Sequence, residues 1–306
     1  MEKNIYALNL LLLLVYLSAC NCNNPGTTAE NKTQTMPALK SVFINGDSLH
    51  YIDIGKGEPV VFVHGALGDY RTWGAQVDTF AKSYRVIVYS RRYAWPNQKT
   101  LIDSSKHTFA SHARDLAEFL NKLSLEPVHL VGHSSGAYIA LLTAMDHPEG
   151  VRSLTLGEPP VMALLPPPLA NAANPFAKTV EAFAKNEEEK AVSSFLEVAT
   201  GDSSYFSRLP QSDREIMMMN TQEARANSTL QNIMPLTTCE DLKKIACPVL
   251  LLGGDQSPSF LPLIFNQMEP CLRTKERATL PNTSHGLAYE NPAAFNKVVL
   301  HFIDKY

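Results

Sequence analysis

The sequence predicts an α/β fold: a mostly parallel sheet flanked by helices, with a helical cap inserted late in the chain. Three observations carry this. The runs 59–63, 84–89, 128–131 and 248–252 are largely apolar without alternation, as in strands buried on both faces, and 151–156 reads as another strand. Stretches of helical character intervene, the rhythm that joins parallel strands by crossovers. Between 161 and 240 that rhythm stops, and helical stretches follow one another with no strand between them.

Residues 1–19 read as an address. Lys3 gives a basic start, and 5–17 is a mostly apolar segment too short for a comfortable bilayer span. Leu17-Ser18-Ala19-Cys20 resembles a bacterial lipoprotein signal, which implies cleavage before Cys20 and its lipidation. Residues 20–40 are rich in Asn and Thr, carry Pro25 and Gly26, and read as a flexible tether. The expected location is extracytoplasmic, lipid-anchored to a bacterial membrane.

The folded body is expected at 41–160 and 241–306, with the cap at 161–240. Residues 41–45 and 49–54 form a hairpin pattern around Asn45-Gly46-Asp47. The strand at 59–63 ends in His64-Gly65-Ala66-Leu67-Gly68-Asp69. Residues 108–123 carry an apolar stripe of Phe109, Leu116, Phe119, Leu120 and Leu123, which predicts a helix. The strand at 151–156 runs into Gly157-Glu158-Pro159-Pro160. In the cap, 176–196 and 211–227 read as two helices. Met217, Met218 and Met219 cannot share one helix face, so some pack within the cap, while an adaptable substrate wall is the sharper reading. After 248–252 come Gly253-Gly254-Asp255-Gln256-Ser257-Pro258, a short strand at 276–280, a turn-rich loop holding His285, and a helix over 292–306.

The 306 residues are 45% hydrophobic and 19% charged, enough for a large core. A net charge of −3 with no long basic run argues against nucleic acid as a partner. The five cysteines show no metal-ligand spacing, and neither G-x-G-x-x-G nor the phosphate-loop pattern occurs, so no metal and no cofactor are expected. An oxidising compartment would allow one disulfide among Cys239, Cys247 and Cys271, but they are expected mostly to be free and buried, since Cys247 abuts a core strand.

The chemistry concentrates at 127–146. Gly132, Ser134 and Gly136 form G-x-S-x-G between the strand at 128–131 and a helix-compatible apolar stretch at 137–145. Strand, sharp turn and helix are the context in which this spacing makes a nucleophile elbow. A serine hydroxyl needs a neighbouring base to become nucleophilic. His133, His129 and His64 read as packing or bracing residues, whereas His285 sits in a turn-rich loop just before the final helix.

With the His64-Gly65 loop, the elbow at Ser134, an acidic residue after a later strand and His285 near the end, the chain resembles the α/β-hydrolase superfamily over 41–306. The order Ser, acid, His is the superfamily's. The resemblance implies Ser134 as nucleophile, His285 as base, and the backbone N–H groups of Ser135 and Ala66 as the oxyanion hole. Relatives mostly carry the acid after the strand matching 248–252. Their aspartate falls at Ser257 here, and Asp255 lies two residues early. A minority place it one strand sooner, where this chain has Glu158. Register favours Glu158, with Asp255 the alternative. A further departure is Tyr89-Ser90-Arg91-Arg92-Tyr93, in place of a glycine-rich turn. Its arginines pair with acidic neighbours or hold an anionic substrate group.

The activity so implied is a serine hydrolase acting on a carboxylic ester or related acyl compound of small size through an acyl-enzyme. A serine rather than an aspartate at the elbow disfavours dehalogenase and epoxide hydrolase chemistry. Carbon–carbon bond, amide or lactone hydrolysis and perhydrolysis use the same constellation. A non-catalytic ligand-binding lipoprotein on the same fold is the rival reading outside enzymes.

Overall fold

Eight strands form one sheet in the order β1-β2-β4-β3-β5-β6-β7-β8. The computed structural model describes residues 37–97, 107–166, 174–230 and 233–306. The expected signal, tether and Cys20 lie outside the described residues. The strands are β1 (Lys40–Ile44), β2 (Asp47–Gly55), β3 (Pro59–Val63), β4 (Arg85–Tyr89), β5 (Val128–His133), β6 (Val151–Gly157), β7 (Val249–Gly254) and β8 (Lys275–Leu280). β1 pairs antiparallel with β2, and β2 antiparallel with β4; every later pairing is parallel. Parallel strands deliver their C-terminal ends to one edge. That edge collects the ends of β3, β5, β6 and β7, from which all the candidate site residues but His285 leave the sheet.

Two cores lie on opposite faces of the sheet. On one, α2 (Phe109–Lys122), α3 (Ser135–Asp146) and the later α10 (Phe260–Met268) bury Leu116, Phe119, Ile139, Leu141, Ile264 and Phe265 against the strands. On the other, α1 (Gly74–Phe80) and the terminal α11 (Pro292–Ile303) bury Phe80, Phe295 and Phe302 with Trp73 of a preceding 3-10 turn. α3 is apolar around most of its circumference and buried from Ser135 through Ala144, as a central helix should be. α2 starts where Thr108 accepts from the Ser111 N–H, and α11 starts at Pro292 after Asn291 accepts from the Ala294 N–H.

The cap is helical, as its sequence predicts, but in shorter pieces. The expected helix over 176–196 is α4 (Ala177–Ala184) and α5 (Glu188–Thr200), parted where Asn186 takes a positive φ of 58°. α6 (Tyr205–Arg208) follows. The expected helix over 211–227 is broken at Asn220 into α7 (Gln211–Met219) and α8 (Thr221–Thr229). Asn220 is withdrawn from helix duty by tertiary bonds: Nδ2 donates to Asp69 Oδ2 at 2.7 Å, and Oδ1 accepts from the Trp95 N–H at 2.7 Å. Phe183, Val192, Leu196, Tyr205, Phe206 and Met217 form the cap's own core, and Leu67 of the loop after β3 packs into it.

One expectation is overturned. Cys239 and Cys271 form a disulfide, with Cα atoms 5.3 Å apart. Cys239 opens the short α9 (Cys239–Leu242), Cys271 ends a 3-10 turn after α10, and the fold sets these two segments side by side. Separation by 32 residues hid that proximity. Closing such a loop contributes about 3 to 4 kcal/mol in the chain-entropy account. Cys247 is free and buried, and burial pushes its thiol up to about 11.

Candidate active site

Ser134 stands between β5 and α3 with φ 53° and ψ −124°, a backbone strained for any residue with a side chain. Its N–H is held by the Gly157 carbonyl at 2.7 Å. The two motif glycines are required by contact. A Cβ on Gly136 would lie 2.2 Å from the Val63 carbonyl oxygen, and one on Gly132 would lie 2.5 Å from the Ala137 Cα. β5 and α3 can therefore fold back on each other, and against the end of β3, only without side chains at these positions. Ser134 consequently sits at the N-terminus of a 12-residue helix, where free N–H groups and the helix dipole favour negative charge.

His285 and Glu158 meet at this edge. Glu158 follows β6 directly at φ 49°, is 1% exposed, and its Oε2 lies 2.6 Å from His285 Nδ1. Its other oxygen accepts the Gly254 N–H at 2.9 Å. Burial pushes the Glu158 carboxyl up, but the hydrogen bond and charge of His285, with help from Gly254, outweigh it and hold the group below its ordinary value. The buried Ser257 hydroxyl, at the position of the superfamily's usual aspartate, is close enough to lower it further yet makes no hydrogen bond of ordinary geometry.

Asp255 has different company. It is exposed, and its Oδ1 accepts the Thr283 N–H at 3.0 Å, pinning the start of the His285 loop. Two other groups brace that loop. His133 Nε2 donates to the His285 carbonyl at 2.7 Å, and burial pushes the His133 imidazole down to about 3, so it is neutral. Glu290 accepts from the Ser284 N–H and hydroxyl, both at 2.5 Å, and from the Tyr205 hydroxyl of the cap. His129, four residues before His133, bonds instead to Ser153 Oγ at 2.7 Å, so the two rings do not converge on a metal. Among the described residues no cluster of His, Cys, Asp and Glu is arranged to hold a metal ion.

Ser134 and His285 line one cavity of about 50 Å³ with Gly65, Ala66 and Leu67 of the loop after β3. Its far wall is the cap: Phe195, Leu196, Thr200, Tyr205 and Met217. Of the three consecutive methionines, Met217 alone reaches the cavity; Met218 packs on the cap core, and Met219 is exposed beside Arg71. The N–H groups of Ala66 and Ser135 donate to no backbone carbonyl among the described residues.

The arginines after β4 are both paired. Arg92 is bound by Asp115 at 2.5 Å and Asp47 at 3.2 Å, and Arg91 by Glu223 at 2.5 Å. The reading that they hold a substrate anion is therefore not supported by their surroundings. Sequence reasoning assigned no role to Glu223, Glu290 or Asn220. Each acts across more than one element, and no local spacing marks such partners.

The Alpha/beta hydrolase family model matches residues 60–298, so the chain belongs to that family. RutD of Caulobacter sp. (strain K31), provisionally named a carbamate hydrolase, is 25% identical over 254 residues, 80% of this chain and 90% of RutD. The carboxylesterase CesB (YbfK) from Bacillus subtilis superposes with a TM-score of 0.72 at 20% identity, covering 88% of this chain and 92% of CesB. The epoxide hydrolase CorEH gives the same TM-score at 19% identity, covering 88% of this chain and 99% of CorEH. An esterase and an epoxide hydrolase thus fit the backbone equally well. The chain is an α/β-fold hydrolase, and its particular chemistry rests on its own site.

Proposed function

We propose that the protein is a serine hydrolase for small, uncharged carboxylic esters or closely related acyl compounds. The observation that carries this is the Glu158–His285 hydrogen bond of 2.6 Å beside a cavity that His285 shares with Ser134. His285 takes the Ser134 proton as the Ser134 oxygen attacks the carbonyl carbon. Glu158 keeps the His285 proton on Nδ1 and stabilises the imidazolium. The Ala66 and Ser135 N–H groups receive the oxyanion. His285 returns the proton to the departing alkoxide as the tetrahedral intermediate collapses to the acyl-enzyme. Water activated by the same imidazole then releases the acid. Among the described residues that line the cavity, the ionisable side chains are those of His133, His285, Tyr205 and Tyr289, which supports a neutral substrate.

The test is covalent. A fluorophosphonate should label the protein stoichiometrically, and Ser134→Ala should abolish labelling and ester turnover together. Labelling that persists in the variant would sink the reading.

We also propose that the enzyme is lipid-anchored through Cys20 on the extracytoplasmic side of a bacterial membrane. Leu17-Ser18-Ala19-Cys20 and the polar stretch after it support this. Cys20→Ser should release the protein from membranes or block its processing; a variant that fractionates and matures like the parent would refute the anchor.

A further inference from the structure

Arg91 lies immediately after β4, beneath the loop that follows β3, and is 2% exposed. Its backbone N–H donates to His64 Nε2 at 3.0 Å. Nε2 is therefore the acceptor and the His64 proton sits on Nδ1, from which it donates to the Gly65 carbonyl at 2.9 Å. Arg91 Nη2 donates to that same oxygen at 3.0 Å, and the Gly68 N–H approaches it at 3.4 Å. Arg91 Nη2 also reaches Ser135 Oγ at 3.3 Å, on the first residue of α3.

The Gly65 carbonyl and the Ala66 N–H are the two ends of one planar trans peptide and point in opposite directions. Donors that fix the oxygen on the buried side hold the Ala66 N–H in the reverse orientation. A cationic donor on the oxygen also polarises the peptide and strengthens the N–H at its other end. The same Nη2 is held by Glu223 of α8, whose Oε2 lies at 2.5 Å and which is 3% exposed. Among the described residues His112 lies 3.9 Å from this carboxylate, and the buried Tyr89 also feels its charge. Burial keeps both neutral, so Arg91 supplies the charge that balances Glu223.

Building on the Ser134 hydrolase reading, we infer that Arg91 is a positioning residue for the oxyanion hole: anchored by Glu223 of the cap, it orients the Gly65–Ala66 peptide and the first turn of α3 toward the reacting carbonyl. The seating of the cap and the geometry of the hole are thereby coupled through one buried ion pair.

The experiment uses the full chain and a p-nitrophenyl acetate assay, with a boronic acid as tetrahedral analogue. Arg91→Met alone leaves a buried carboxylate unpaired and endangers folding, so the central variant is Arg91→Met with Glu223→Met, which removes both charges at similar volume. Its fold is checked by circular dichroism. The expected result is a kcat lower by about 10- to 100-fold, less than the roughly 10²–10³-fold cost of deleting an oxyanion donor outright. KM should stay within about 3-fold, and the boronate Ki should rise in step with the loss of kcat. Arg91→Lys keeps the charge, but its side chain is one bond shorter and its ammonium stops short of the place where Nη2 meets Gly65, Ser135 and Glu223, so it should restore only part of kcat. Should the double variant fail to fold, Arg91→Lys alone carries the test: reduced kcat and weakened boronate binding against wild type support the proposal. Wild-type kcat and boronate affinity in a folded variant, or a rise in KM at constant kcat, would overturn it. Failure of the hydrolase reading would look different: wild-type protein that neither labels with fluorophosphonate nor turns over.

Discussion

The Glu158 carboxylate and the His285 imidazole, 127 positions apart in the chain, meet at 2.6 Å, while Asp255, two residues from the superfamily's usual position for the acid, is bonded to the Thr283 N–H. The difference follows from where each side chain leaves the sheet. Glu158 directly follows β6, which lies between the strand that precedes Ser134 and the strand that precedes Asp255. From there it is directed inward under Gly253, where a Cβ would stand 3.1 Å from Glu158 Oε1. Glu158→Gln should lower kcat by about 10⁴-fold, the cost of the equivalent change in a serine protease, because an amide favours the wrong imidazole tautomer. Asp255→Asn should cost about tenfold or less, since it removes one brace of the loop and no partner of the ring. Steady-state kinetics on both variants, with circular dichroism to show that they fold, decide between the carboxylates. A reversed order of damage would give the role to Asp255.

The same pair sets an acid limit on stability. The folded Glu158 pKa is held below the ordinary 4.5, so ionisation favours the folded state. The resulting stability is complete above the unfolded value and is lost as pH falls through the lower, folded one. Melting temperatures of wild type and Glu158→Gln, measured from pH 7 to pH 3, should keep a constant gap above about pH 5 and converge below about pH 4.5. A gap that widens toward acid would mean that the carboxyl is raised rather than lowered.

Most of the architecture was legible because buried parallel strands leave short runs rich in Val, Ile and Leu between turn signals. The runs at 59–63, 84–89 and 151–156 differ from β3, β4 and β6 by at most one residue at either end. Several helices escaped notice for physical reasons. α10 (FLPLIFNQM) contains a proline and is too apolar for a clear stripe, and α1 spans only seven residues. The cap helices are shorter than their periodicity suggests: α4 and α5 are parted at the positive φ of Asn186, and α7 and α8 where Asn220 is claimed by Asp69 and Trp95. At the site, the elbow and His285 stood out because local backbone demands leave glycine and turn signatures. Arg91, Glu223 and Glu290 left none, since what they hold together is assembled only by the fold. The Cys239–Cys271 bridge was hidden for the same reason.

On the proposed hydrolase reading, the cavity beside Ser134 predicts a preference for a short acyl group. It offers about 50 Å³, against roughly 300–1,000 Å³ for sites that hold drug-sized ligands. At about 10–15 Å³ for each water-sized group, that is room for about four such groups. Phe195 and Met217 close it from the cap side, and Leu67 closes it from the loop after β3. Leu67 is packed into the cap core and carries a positive φ of 64°, so it cannot yield easily. Met217 is buried in the cap core as well, but its unbranched side chain makes it the more adaptable wall. Across p-nitrophenyl acetate, butyrate, hexanoate and octanoate, kcat/KM should therefore be highest for the shortest chains and fall by about tenfold or more by hexanoate, the penalty for over-filling a packed pocket. Met217→Ala should move the optimum to longer chains while leaving acetate turnover within about 3-fold of wild type, because truncation adds space without touching Ser134, His285 or the oxyanion donors. Phe195→Ala, on α5, should act in the same direction. A wild-type preference for octanoate would show that the cap opens in solution, and that the 50 Å³ cavity is not the one the substrate meets.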